Sequence, residues 1–219
     1  MSNAVRVWDL PTRLFHWLTV LLVAFSWWSA ENREMAWHQL SGLAVFGLVI
    51  FRLAWGVMGG STARFANFLS GPGAVMEYLR GSAARARQIG HNPLGALSVL
   101  ALLGFLLFQT ISGMFASDVD GLESGPLSFL ISFEQSRTAT EWHEISFNLL
   151  LAMIALHLVA IVYYRLARGR NLVRPMITGV DPQLDRSVSG LIPAGPAQFI
   201  LAALIGAGAA WAASKGFFL

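Results

Sequence analysis

The sequence predicts an all-α integral membrane protein, a helical bundle with a four-helix core and a fifth, C-terminal transmembrane helix. Three observations predict it. The 219-residue chain is 55% hydrophobic and only 12% charged, against about 25% charged in an average soluble domain. Uncharged runs such as Ile145 to Tyr164 recur along it, and about 20 apolar residues cross a hydrocarbon layer about 30 Å thick. The arginines cluster between these runs, as topology signals do. Nothing in their scatter points to nucleic acid. The chain has no cysteine, which excludes disulfides and thiolate-held metal clusters. The core is expected over residues 1–179, and residues 180–219 are expected to form a linker and the fifth helix.

The elements follow in order. Met1 to Arg13 is a short polar start, and Leu14 to Ala30 an uncharged, Trp-rich first span containing His16. A cleaved signal peptide fits poorly, because Trp27 or Trp28 would occupy the small-residue position before the cut. The second span starts near Met35 and carries His38, Gly42, Gly47 and Arg52. Ser61 to Gln88 is a basic connection in which Pro72 to Arg87 has the pattern of an amphipathic surface helix. Asn92 and Pro93 read as the cap and first turn of a third span reaching Ala116. Ser117 to Glu141 is an acidic loop with an apolar piece, Gly125 to Phe133, expected to dip into the interface as a short helix. The fourth span follows with His143 and His157, then Arg165, Arg168, Arg170, Arg174 and Arg186 against Asp181 and Asp185. Leu191 to Trp211 is the fifth span. The basic segments alternate with acidic ones, so the positive-inside rule puts the N-terminus in the cytoplasm and Lys215 outside.

This topology sorts the histidines by depth. His16 starts an outward helix and lies near the inner surface, and His38 starts an inward helix and lies near the outer one. His143 and His157 are fourteen residues apart on the fourth span. They therefore share a face and differ in depth by about 21 Å. The result is an inner pair, His16 with His157, and an outer pair, His38 with His143, each drawn from two helices. Intramembrane histidines are costly and mark sites. A single one reads equally well as a hydrogen-bonded core residue or a proton relay. Zinc prefers four convergent ligands, whereas two imidazoles at each of two depths suit a haem, whose porphyrin supplies the other four. Without cysteine such haem is non-covalent, hence b-type. Arg52, fourteen residues after His38, lies at the inner depth and is a candidate partner for haem propionates, or a snorkelling residue at a helix end. Arg33 and Arg137 are the outer candidates. Gly42 and Gly47 suit either the close approach of a macrocycle or helix packing.

The motifs RLFHW, WHQLSG, FRLAWGVMG, GHNPLGA and EWHE with LHLVAIVYY resemble those of bacterial cytochrome b561 proteins and of the related cytochrome b subunits of nickel–iron hydrogenases, over most of Val5 to Gly179. The resemblance implies a dihaem electron carrier of the bacterial inner membrane with two haem b groups, and its ligands fall on His16, His38, His143 and His157. It also implies exchange of electrons with quinone and with a protein or small redox partner, a quinone oxidoreductase activity being one form of this. The acidic loop is a docking surface for a basic periplasmic partner such as a c-type cytochrome, or simply a solvated loop. Two alternatives stay open: a haem-bearing anchor subunit of a hydrogenase-like complex, and a non-haem metal transporter. Exposed Trp and Gly faces permit a homodimer in the lipid. His91 reads as helix-start structure or as a proton acceptor beside quinone.

Overall fold

A computed structural model describes residues 5–80, 89–184 and 190–216. Helix α1 spans Leu10–Glu31 and α2 spans Met35–Met58. The short α3 (Phe65–Phe68) and α4 (Pro72–Leu79) follow, then α5 (Pro93–Phe115), α6 (Phe133–Ala167), α7 (Val173–Thr178) and α8 (Pro196–Ser214). Four of these are long and apolar enough to cross a membrane: α2, α5, α6 and α8. The 22-residue α1 is long enough, at about 1.5 Å per residue, but is not among the four. Its Trp, Ser and His residues lower its apolarity.

Local chemistry sets the helix starts. Asp9 caps α1, its Oδ1 accepting from the Thr12 N–H at 2.8 Å, with Pro11 in the first turn. Asn92 caps α5 by accepting from the Gly95 N–H at 2.8 Å, with Pro93 next to it, as the sequence predicts. Ser132 and Gln135 form a reciprocal capping box on α6. That box corrects one expectation. Residues 133 to 141, read as loop, are the first turns of a 35-residue helix. The expected interfacial helix shrinks to a 3-10 turn at Ser128–Leu130. Of the amphipathic helix expected over Pro72 to Arg87, α4 forms Pro72–Leu79 and ends at the C-cap Arg80, and residues 81–87 lie outside the described residues. The same holds for Asp185 and Arg186.

Helix α2 is the hub, packing against α1, α5 and α8, while α6 leans on α5. Val45 and Val49 of α2, Leu106 of α5 and Leu150 of α6 form the central buried cluster, with Leu22 and Val23 of α1 against it. The expected fifth helix seats on α2 through small residues. A Cβ on Gly206 would lie 2.6 Å from the Gly47 carbonyl oxygen, and one on Gly47 would lie 3.0 Å from the Ala210 Cβ. Gly47 therefore serves helix packing. Gly42, one turn after His38, faces open space instead.

At the end of the bundle holding the α1 N-terminus, the two-residue strands β1 (Val5–Arg6) and β2 (Val180–Asp181) pair antiparallel. The Arg170–Asp181 salt bridge, 2.8 Å, and the Trp55 indole N–H donating to Asp9 Oδ2 at 3.1 Å tie the same end together. None of these contacts between distant residues has a sequence signal.

Candidate functional site

Histidines 38 and 143 come from the first turn of α2 and from α6. Their ring centroids are 6.0 Å apart with planes at 88°. Each ring is oriented through Nδ1. His38 Nδ1 lies 2.9 Å from the Ser26 carbonyl oxygen on α1 and 3.1 Å from the Ser26 hydroxyl. His143 Nδ1 lies 2.9 Å from the Gln109 carbonyl oxygen on α5. A carbonyl only accepts, so both Nδ1 atoms carry the proton and both Nε2 atoms keep a lone pair. Main-chain acceptors behind the distal nitrogen are how metal-ligating histidines are held. Four helices thus build the pair: α2 and α6 supply the rings, and α1 and α5 supply the carbonyls.

Helix α5 makes room for His143 with Gly113, where a Cβ would lie 2.7 Å from the ring Cε1. The Gln109 side-chain nitrogen lies 3.1 Å from His143 Nε2, and its oxygen takes the Ser146 hydroxyl. Gln109 is therefore a polar residue inside an apolar span that attends the histidine on both its nitrogens. Sequence reading passed over Gln109, Gly113 and Ser26. Gln109 was the legible one, an amide in the middle of an uncharged helix.

The second couple sits at the other end. His157 on α6 is close enough to His16 on α1 for the two imidazoles to interact electrostatically. The His16 ring lies edge-on to Trp17, and its buried Nδ1 has no partner among the described residues. Helix α1 is not among the helices that pack closely on α6. Long side chains such as Trp27 and Phe147, ring centroids 5.9 Å apart, connect them. Arg52 is 2% exposed and lies 5.0 Å over the Phe65 ring, with one guanidinium nitrogen, NH1, lacking a partner among the described residues. Asp9 is within its electrostatic reach.

His91 sits between the Trp8 and Phe68 rings, with centroids at 4.7 and 4.6 Å. Burial, helped by Arg52 and His157, pushes its pKa down to about 3. Such a ring is neutral throughout the physiological range, which favours the structural reading over a proton acceptor. The unfolded chain protonates His91 below about pH 6.5, while the folded chain resists until about pH 3. Its stabilising contribution is complete above pH 6.5 and drains as pH falls toward 3, by up to about 1.4 kcal/mol per unit. The His91→Gln variant is expected to lose thermal stability more slowly than the native chain as pH falls from about 6.5. Parallel melting-temperature curves in detergent would refute this.

The residues fit the cofactor that the histidine spacing suggests. Imidazole centroids about 6 Å apart match two rings each reaching about 2 Å to one metal. Among the described residues no three His, Asp or Glu side chains converge as a protein-only metal site requires. Paired rings whose Nε2 atoms keep a lone pair suit the two axial positions of a haem, where the iron would take the place that the Gln109 amide holds at His143 Nε2. Buried unpartnered nitrogens on His16 and Arg52 mark the other end as built for a polar guest.

No curated protein and no solved structure matches the chain. The family model described as prokaryotic cytochrome b561 matches residues 7–179.

Proposed function

Since the chain belongs to the prokaryotic cytochrome b561 family, and is thus a multi-pass bacterial membrane b-type cytochrome of electron transfer, we propose that it holds two haems and passes electrons across the inner membrane. In this reading His38 and His143 are the axial ligands of the outer haem, and His16 and His157 those of the inner one. One observation carries it: the 6.0 Å, near-perpendicular juxtaposition of the His38 and His143 rings, each locked by a backbone carbonyl. The haems supply the one-electron chemistry. The chain holds the His38 and His143 imidazoles in one tautomer, excludes water with the buried cluster around Val49 and Leu150, and sets the surrounding charge. Helix α1 then spans the bilayer with the other four, and the N-terminus lies in the cytoplasm.

Electrons in this scheme run between the quinone pool and a periplasmic redox partner. The outer loop and the first turns of α6 support the partner half, since Asp120 and Glu123 of the loop and Glu134 and Glu141 of the helix are all exposed and an acidic surface steers basic proteins. Pyridine haemochrome analysis of the purified chain tests the core of the proposal. Two b-type haems per polypeptide and a reduced α-band are expected, and a stoichiometry of one would sink the dihaem reading.

Arg52 is assigned to the inner haem's propionates, its unpartnered NH1 being the supporting observation. A buried cation beside a haem favours the reduced state. Arg52→Gln should lower the midpoint potential of one haem and leave the other unmoved. Redox titration with both potentials unchanged would remove Arg52 from the site.

A further inference from the structure

We propose that the cavity between β1, the α1 N-terminus, the end of α7 and the α8 N-terminus binds the phosphate head group of an anionic phospholipid, with an acyl chain lying along the apolar wall formed by α1 and α8. The cavity holds about 370 Å³ and is lined by Arg6, Asp9 and Arg13 at its polar end. Arg13 is held in place. Its NH1 donates to the Ile177 carbonyl, and its buried Nε has no protein partner. Gly179, at φ 83°, lets the chain pass tightly against it, since a Cβ there would be 3.3 Å from the guanidinium carbon. Arg6 is held by the β1–β2 pairing and is exposed. The one acid in the wall, Asp9, stands against two arginines and so does not offset them fully, and its oxygens are turned to the Thr12 N–H and the Trp55 indole.

The rest of the lining decides between a lipid and a free anion. Leu10 and Leu14, one turn apart on α1, and Phe199 on α8 line the same cavity and are 56%, 46% and 39% exposed. A free phosphate has no use for such a wall. A lipid does, because its phosphate meets two guanidiniums while its tail covers apolar surface that faces the bilayer. The site also lies at the arginine-rich end of the bundle, where anionic head groups are attracted by about 1 kcal/mol per basic residue.

The test is native mass spectrometry of the delipidated holoprotein in detergent, titrated separately with phosphatidylglycerol, phosphatidylethanolamine and inorganic phosphate. Phosphatidylglycerol should bind in preference to phosphatidylethanolamine. The variant R6Q/R13Q should weaken it roughly thirtyfold and R6Q alone about fivefold. K215Q, at the far end of α8, should change nothing. The visible spectrum serves as the folding control, so the outcome is independent of how many haems the chain carries. Should R6Q/R13Q misfold, R6Q decides, because Arg6 is exposed. Equal binding of the two lipids, unaltered binding by the variants, or displacement of phosphatidylglycerol by inorganic phosphate would each overturn the proposal, the last by making this a free-anion site.

Discussion

Under the dihaem proposal, the purified His143→Ala chain is expected to carry one haem against two in the native chain. The remaining haem should be six-coordinate and low-spin, with the spectrum and potential of the inner site. The reasoning runs through the partner ring. In the proposed assignment His38 and His143 share one iron, since the two rings lie 6.0 Å apart and no third His, Asp or Glu side chain joins them among the described residues. Either substitution removes one of the two axial ligands that the proposal gives this haem. His38→Ala should therefore give the same stoichiometry and spectrum as His143→Ala. The double variant should lose nothing more, because residues acting on one metal couple strongly. His16→Ala and His157→Ala should remove the other haem and form a second matching pair. A purely structural role predicts a different outcome: four separate stability losses that add, with both haems retained. Retention of two six-coordinate haems by His143→Ala would end the assignment.

Gly206→Leu is expected to release α8 from α2 and to lower the thermal midpoint sharply. A Cβ at Gly206 meets the Gly47 backbone carbonyl at 2.6 Å and the Phe51 Cβ at 2.9 Å. A helix carbonyl cannot rotate aside as a flexible side chain can, so the helices must separate. Overpacking of this kind costs about 1–3 kcal/mol, and more when a whole interface shifts. Gly208→Leu is the control. Nothing lies within 4 Å of a Cβ there, and leaving glycine inside a helix recovers up to about 1 kcal/mol. The two variants sit two residues apart on one helix and add the same side chain, so equal melting temperatures would show that the α2–α8 contact is not close-packed. The visible spectrum should survive Gly206→Leu, since α8 supplies none of the four histidines.

Much of the architecture was legible because membrane helices obey local rules. The start of α2 at Met35 and the Asn92 cap of α5 follow from residues within a turn of each boundary. Histidine depth follows from helical rise and the alternating direction of successive spans, which is why the sequence alone pairs His38 with His143. Where local rules compete, the reading slipped. Residues 133 to 141 are acidic enough to look like loop, yet the Ser132–Gln135 capping box begins the helix there. Gly47 was ambiguous because a glycine admits a cofactor and a helix equally well, and only the neighbour distinguishes them.

From its own residues the chain determines that it is helical, that it belongs in a bilayer and that its imidazoles occupy two levels. Period, length and apolarity are properties of a segment, whatever surrounds it. The tertiary structure alone decides that carbonyls of α1 and α5 hold the Nδ1 protons, that Gly113 clears space for His143, and that Arg13 lies against Gly179. Each of these depends on how closely two backbones approach, and that distance is set by the packing of the whole bundle.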